Sequence, residues 1–172
     1  MDRQLKVEIV RCVKIQTYPF TDYFKGFENV DAVRRIFGEK TVDVLRDLRV
    51  EFIGSRWSYM GVSDADGHLL VGANYLKNGD IIDIYLDVIH ELVHVRQFME
   101  GKKLFEERYN YVERPTEVEA YRHVVEEARR LGLSDKRICE YLKTEWMSDE
   151  SLKRLAKALN VVCPQVRDKA SQ

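Results

Sequence analysis

The sequence predicts an α+β protein in which a small three-stranded sheet precedes a long amphipathic helix, a second long helix and further C-terminal helices. Between Val50 and Tyr75, short apolar runs rich in β-branched residues alternate with turn residues, as in strands. Beyond the break at 78–80, apolar residues recur every three or four positions, as on the buried face of a helix. The length of 172 residues with 45% hydrophobic content predicts one globular domain over 1–172.

The first part of the chain, 1–48, is predicted to be a helical extension. Apolar spacing over 2–16 fits a strand or a helix and favours the helix. The segment 17–19 contains a proline and is expected to break it. Two short helices are then expected, one over 30–37 and one from Thr41.

Three short strands are predicted at the start of the core, which spans about 50–131. They cover 50–53, 56–62 and 68–75, and the acidic, glycine-ending segment before the last strand forms a turn. After the next break, Asp80 is a suitable N-cap for a helix.

Two long helices are predicted to follow the strands. The first begins near Ile81 and ends at Gly101, where a glycine permits the left-handed conformation that closes a helix. Pro115 suits the first position of the second, which continues to Leu131. Residues 133–172 are expected to form two shorter helices and a tail. The helices are capped by Ser134 and Ser148 and end near Met147 and Leu159.

Charge and cysteine content limit the partners and the cellular environment that the sequence predicts. Twenty-eight Lys plus Arg against 29 Asp plus Glu give a net charge of -1, so no nucleic-acid partner is expected. No apolar run has the length of a membrane span, and no signal core is recognisable. The three cysteines contain no CxxC pair, which predicts neither a disulfide framework nor a cysteine zinc site. Together these features predict a cytoplasmic protein without a membrane partner.

The segment His90-Glu91-Leu92-Val93-His94 is an HExxH motif. On a helix, residues four apart lie on one face, so both imidazoles can bind one zinc ion at about 2.0–2.1 Å. Glu91 is offset by one position and can act as general base on a zinc-bound water. The motif arises by chance in roughly 1% of shuffled sequences of this composition. The alternative is that the two histidines are satisfied within the core and Glu91 forms a surface ion pair. It is disfavoured because the helix is expected to be buried, and burying two histidines and a glutamate without partners is costly.

Four residues after the motif are candidates for a third zinc ligand. Glu100 has the spacing of the extended HExxHxxGxxH motif, but Gln97 stands where that motif has its glycine, and no bend is expected there. Glu117 lies near the start of the next helix and faces the motif if the two helices pack antiparallel. Glu119 and His123 lie on other faces of that helix. Glu117 is therefore favoured.

HExxH followed some twenty residues later by a helical ExxA, here 117–120, resembles the gluzincin zinc metallopeptidases. The short chain looks most like their minimal form, the minigluzincins, and the resemblance covers roughly Val50 to Leu131. It implies a Zn²⁺ site with an extended peptide or protein as substrate. The implied roles are zinc ligand for His90, His94 and Glu117, and general base for Glu91.

The resemblance leaves two roles in the site open. Many gluzincins have an aspartate four residues after the ligand glutamate, where this chain has Tyr121. Support for the ligand histidines is therefore expected from Tyr121, from Asp87 or from the backbone. The candidates for the oxyanion donor are four: Tyr109, Tyr111, Tyr121 and His123.

The resemblance also bears on substrate binding and on latency. In the family, the strand before the active-site helix pairs with the substrate, which here indicates Leu69 to Tyr75. Minigluzincins are thought to be latent when a chain segment blocks the site, so low activity is expected, with the terminal arms as the blocking segments. A zinc-blocking thiolate at Cys163 is a further hypothesis, less favoured than an ordinary tail cysteine.

The sequence thus predicts a zinc metallopeptidase. A zinc-containing regulatory or binding module is the alternative, and the general base at Glu91 argues against it. A nucleic-acid-associated protease with His123 as third ligand is disfavoured by the balanced charge. Nothing in the sequence indicates an oligomeric state.

Overall fold

A computed structural model of the protein describes residues 5–54 and 59–164. It has helices and small sheets, with several helices toward the C-terminus, so the α+β class is confirmed. Before the core, the described residues form β1 (Glu8–Ile9), β2 (Thr17–Pro19), α1 (Phe20–Tyr23), β3 (Phe24–Lys25), α2 (Asp31–Phe37) and α3 (Thr41–Asp47), with short 3₁₀ helices at Phe27–Asn29 and Gly38–Lys40.

The N-terminal region is less helical than predicted. A helix over 2–16 is wrong for the described part, because β1 is extended and pairs antiparallel with β3. The backbone N–H of Val10 also donates to the carbonyl of Tyr23, at 2.8 Å. The spacing allowed both structures, and pairing with a segment some 15 residues away favours the strand. The two short helices expected after residue 30 are present as α2 and α3.

The main sheet has four strands, not the three predicted. The predicted strands appear as β4 (Arg49–Ile53), β5 (Met60–Val62) and β6 (Leu69–Gly72), while residues 55–58 of the second prediction lie outside the described part. The strand order is β2-β4-β6-β5, with β4 and β6 parallel and the other two pairs antiparallel. The fourth strand, β2, comes from the supposed extension, which therefore belongs to the sheet.

Helices follow the sheet to the end of the described chain. They are α4 (Ala73–Asn78), α5 (Ile81–Met99), α6 (Pro115–Arg130), α7 (Asp135–Leu142) and α8 (Asp149–Ala158). The Asp80 carboxylate caps α5 by accepting backbone hydrogen bonds from Ile82 and Asp83, and the serines before α7 and α8 are caps as predicted. The last predicted strand ends early because Ala73 begins α4, and α7 ends at Leu142 rather than near Met147.

The helix α5 lies at the centre of the molecule and runs antiparallel to α6. It also packs against α2 and β5, and twelve of its nineteen residues are buried. Near its start, Tyr85 donates a hydrogen bond of 2.5 Å to the fully buried Glu127 late in α6. Near its end, Gln97 donates to the carbonyl of Thr116 early in α6, at 3.0 Å. This pairing brings the end of α5 beside the beginning of α6.

A disulfide links α7 to the segment after α8. Cys139 and Cys163 are bonded, with their Cα atoms 5.4 Å apart, while Cys12 is free and exposed. The expectation of unpaired cysteines is therefore wrong, and the Cys163 thiolate is not available to block a metal. Disulfides are rare in reducing compartments, so the cysteines no longer support a cytoplasmic location.

No helix within residues 5–54 and 59–164 combines the length and the apolar character that crossing a membrane requires.

Candidate metal centre

Three buried side chains converge where the end of α5 meets the start of α6. His90 Nε2 lies 3.1 Å from His94 Nε2 and 3.1 Å from Glu117 Oε2, and His94 Nε2 lies 3.4 Å from the same oxygen. The histidines stand one turn apart on α5, and Pro115 begins α6 so that Glu117 falls in its first turn. The structure thus brings together the three residues that the sequence predicted as ligands, in a group that can hold a metal ion.

The spacing of these donor atoms fits a tetrahedral ion. For metal–ligand bonds of about 2.0–2.1 Å, neighbouring ligands lie about 3.3–3.4 Å apart, close to the three distances found here. Two neutral imidazoles that face each other with lone pairs repel, and a proton or a cation between them removes that repulsion. Imidazole and carboxylate donors without thiolate suit several divalent transition ions, so the donor set by itself does not identify the metal.

Gln97 orients the second histidine of the motif. His94 Nδ1 lies 2.7 Å from Gln97 Oε1, which makes Nδ1 the donor and leaves Nε2 to face the cluster. The Gln97 amide donates in turn to Glu119 Oε2 at 2.6 Å and to Thr116, and its side chain is fully buried. The expectation that Tyr121, Asp87 or backbone supports the histidines is wrong for His94.

Sequence reasoning considered Gln97 only as a helix former. The signal that was available is its position: a polar residue three places after His94 lies on the same helix face as the ligand, and it has both an acceptor and a donor to offer there.

His90 is held by packing. Its ring lies edge-on against that of Tyr121, with centroids 4.4 Å apart, and its buried Nδ1 has no hydrogen-bond partner among the described residues. The Tyr121 hydroxyl pairs with that of Tyr111 at 2.9 Å. Asp87, one turn before His90, accepts hydrogen bonds from Tyr75 and Tyr141 instead. Tyr121 therefore contacts a ligand histidine, but through its ring.

The cluster is electrostatically coupled. Burial by itself would raise the pKa of Glu117, but hydrogen bonds from His90 and His94 hold that pKa well below its usual range. Burial disfavours the charged form of His94, yet its hydrogen bond to Glu117 and the nearby Glu91 raise its pKa to about 9. Burial lowers the pKa of His90. A cation that binds these donors must therefore compete with protons for them.

Glu91 lies beside the cluster but not in it. The residue is buried, and burial raises the pKa of its carboxyl group to about 8, with the charge of His94 acting in the opposite direction. A carboxyl group with a pKa near neutrality can both accept and release a proton at physiological pH. A cation bound to the neighbouring ligands would lower this pKa.

The other ligand candidates lie outside the cluster. Glu100 is bound by Lys102 at 3.0 Å and lies 3.7 Å from Arg96. Glu119 accepts from Arg96 at 2.5 Å as well as from Gln97. His123 is half-buried, and this burial lowers the pKa of its imidazole. The positive charge of Arg96 lowers that pKa further, and no residue of the cluster contributes to the shift.

Arg114 is a neighbour of the cluster that the sequence analysis did not single out. Its Nη1 atom lies 4.0 Å from Glu117 Oε1, and its side chain is 14% exposed. The only signal in the sequence was its place immediately before Pro115, one turn ahead of Glu117.

None of the residues of the cluster lines the cleft beside the N-terminal segment. A cleft of about 640 Å³ lies between the N-terminal segment 11–14 and α4, away from the histidines. Comparison with known protein families, with curated proteins and with solved structures finds no match for this chain.

Proposed function

We propose that the protein is a zinc-dependent metallopeptidase in which Glu91 is the general base. The observation that carries this proposal is the arrangement of His90, His94 and Glu117 at tetrahedral spacing beside a buried carboxyl group. A structural site needs ligands only. A hydrolytic site also needs a proton acceptor next to the metal, and Glu91 is in the position to be one.

Zn²⁺, when bound, would supply a Lewis acid and lower the pKa of a water molecule. The protein residues then have separate tasks. His90, His94 and Glu117 hold the ion and leave one position open. Glu91 accepts the proton of the attacking water and delivers it to the nitrogen of the leaving amine. Gln97 keeps His94 in the tautomer that can bind metal.

The proposed substrate is an extended peptide. The earlier expectation that 69–75 pairs with it is not compatible with the sheet, because β6 lies between β4 and β5 and has both edges occupied. The strand β5 is at the edge of the sheet and packs against α5, which carries the motif. We therefore assign peptide pairing to β5, where an added strand would continue the sheet.

Burial of the site supports low activity of the isolated protein. The three proposed ligands are only 5–6% exposed. Beyond the cluster, the ring of Tyr111 neighbours Trp146, which lies between α7 and α8, at a centroid distance of 6.3 Å. Access of a peptide would require a displacement near these rings. The same burial favours the alternative, a zinc-containing regulatory or binding module with little proteolysis.

Zinc content and cleavage test the proposal in two steps. We expect one zinc per chain after loading, loss of zinc in Glu117→Ala, and full retention in the control Glu100→Ala, which removes a nearby glutamate outside the cluster. Equal zinc content in the two variants would contradict the ligand assignment.

Casein or peptide cleavage then distinguishes the peptidase from the binding module. We expect Glu91→Gln to keep its zinc and to lose cleavage by at least 10²-fold, because it removes the general base. Cleavage that persists in Glu91→Gln would overturn the role of Glu91. Zinc binding without cleavage, even after mild proteolysis of the chain, would support the binding module.

A further inference from the structure

Arg114 has an unusual environment for an arginine. It precedes the first residue of α6 and lies three positions before Glu117. Its side chain is largely buried, and the face of the Tyr111 ring lies 5.9 Å from the centre of the guanidinium. The group is therefore held in the wall of the metal centre by the same tyrosine that contacts Tyr121.

The guanidinium makes no hydrogen bond to any residue within 5–54 and 59–164. Its Nη1 atom lies 4.0 Å from Glu117 Oε1, beyond hydrogen-bond distance, and its buried Nε atom has no partner among the described residues. By contrast, Arg130 donates two hydrogen bonds of 2.6 and 2.7 Å to Glu127. Leaving buried donors of a charged group unpaired is costly, so a purely structural ion pair would be expected to close this gap.

The position of Arg114 relative to Glu117 indicates what it faces. Glu117 directs Oε2 to the two histidines, and Arg114 lies on the side of the other oxygen, Oε1. A divalent cation on the ligands would be balanced by the carboxylates of Glu117 and Glu91. The charge of Arg114 then makes the whole site positive, which favours an additional anionic oxygen beside the metal.

We propose that Arg114 is the residue that hydrogen-bonds the carbonyl oxygen of the scissile peptide bond as negative charge develops on it. This inference rests on the proposed peptidase function. Of the tyrosines considered from the sequence, Tyr111 and Tyr121 have their hydroxyls hydrogen-bonded to each other, which leaves only one of those two O–H groups free to donate. A guanidinium offers two N–H groups in one plane, a geometry suited to an oxygen that gains negative charge.

Anion binding to the cobalt-loaded protein tests the proposal without turnover. Inorganic phosphate is the probe, a tetrahedral anion that binds the open metal position and changes the visible spectrum of the ion. We expect Arg114→Gln to retain one cobalt per chain and to bind phosphate at least about tenfold more weakly, the range expected for a lost hydrogen bond to a charged group. Arg114→Lys should show a smaller loss, because it keeps the charge but not the planar fork.

The matched control is Arg108→Gln, which removes an exposed arginine positioned over the ring of Tyr109. Its phosphate affinity should equal that of the unmodified chain. Unchanged phosphate affinity in Arg114→Gln with cobalt retained would overturn the role of Arg114 and leave the peptidase proposal standing. Absence of metal binding by the unmodified chain would overturn both.

Steady-state cleavage by the zinc-loaded protein adds a second readout. A donor to the developing oxyanion should lower kcat in Arg114→Gln with little change in KM, since the interaction strengthens only in the transition state. A rise in KM with kcat unchanged would overturn the assignment, because it would mean that Arg114 binds the terminal carboxylate of the peptide.

Discussion

At the scale of single residues, the cluster of His90, His94 and Glu117 is contacted by a second set of side chains. Gln97 is the clearest case, because each polar atom of its amide has a partner: His94 on one side, Thr116 and Glu119 on the other. It joins the orientation of a ligand on α5 to the first turn of α6, from which Glu117 comes. Gln97 therefore affects the positions of both His94 and Glu117.

Replacing Gln97 with methionine should weaken zinc binding by about 10- to 100-fold, as is typical for loss of a hydrogen-bond partner of a ligand histidine. Methionine has a similar length, so little cavity is created. Competition with a chromophoric chelator measures the affinity. Gln16→Met, on an exposed residue, is the control. If the two variants bind zinc equally well, the hydrogen bond to His94 has no role in the site.

At the scale of elements, His68 connects two strands and a turn. Its Nε2 lies 2.8 Å from Glu51 Oε2 on β4, while Nδ1 pairs with Asp66 in the turn before β6. Partial burial opposes the charged form, but the hydrogen bonds to Asp66 and Glu51 prevail, and the pKa of His68 is raised above its usual value. The same contact lowers the pKa of Asp66.

These shifts predict a pH-dependent contribution of His68 to stability. A raised pKa in the folded state means that the contribution is fully present below the pKa of an unfolded histidine, about 6.5, and is lost as the pH rises through the folded pKa. The free energy of unfolding should therefore differ more between the unmodified chain and His68→Gln at pH 5.5 than at pH 8.5. Urea denaturation with chelator present measures both. A difference independent of pH would contradict the charged contact.

The strands also show what local patterns leave out. β4 and β6 are recognisable by their β-branched, apolar residues, and both were predicted. β2 is a three-residue strand containing Pro19, and its backbone pairs with Val50 and its neighbours. A strand this short is specified by its partner rather than by its own composition, so the sequence indicated only a break there.

At the scale of the whole molecule, the disulfide closes the C-terminal part onto itself. Cys139 in α7 and Cys163 are separated by 24 positions, and the bond constrains the α7–α8 pair that carries Trp146 between its helices. Its main effect is to restrict the unfolded chain, and a loop of this length corresponds to about 3 kcal/mol at 25 °C.

The double variant Cys139→Ser/Cys163→Ser should therefore have a free energy of unfolding lower by about 3 kcal/mol. Cys12→Ser is the matched control and should leave stability unchanged, because Cys12 is exposed and unpaired. Denaturation with and without a reducing agent checks the same bond in the unmodified chain. An equal stability of the double variant and the control would show that the two cysteines are not joined in solution.

The sequence by itself determined the class of the fold, the two long helices with their caps and the motif on the first of them. These features depend on interactions within a few residues: Asp80 caps its own helix, and His90 and His94 share a face because a helix repeats every 3.6 residues. The choice of Glu117 also came from local spacing, together with the assumption of antiparallel packing.

The tertiary structure decided everything that joins distant segments. The pairing of β2 with β4, the bond between Cys139 and Cys163, and the places of Gln97 and Arg114 beside the metal centre depend on which surfaces of the chain meet. Neither the spacing of apolar residues nor the composition indicates such contacts, because the free energy of a contact between residues far apart depends on how the whole core packs. The sequence could therefore supply the three residues of the cluster, while the residues that contact them required the fold.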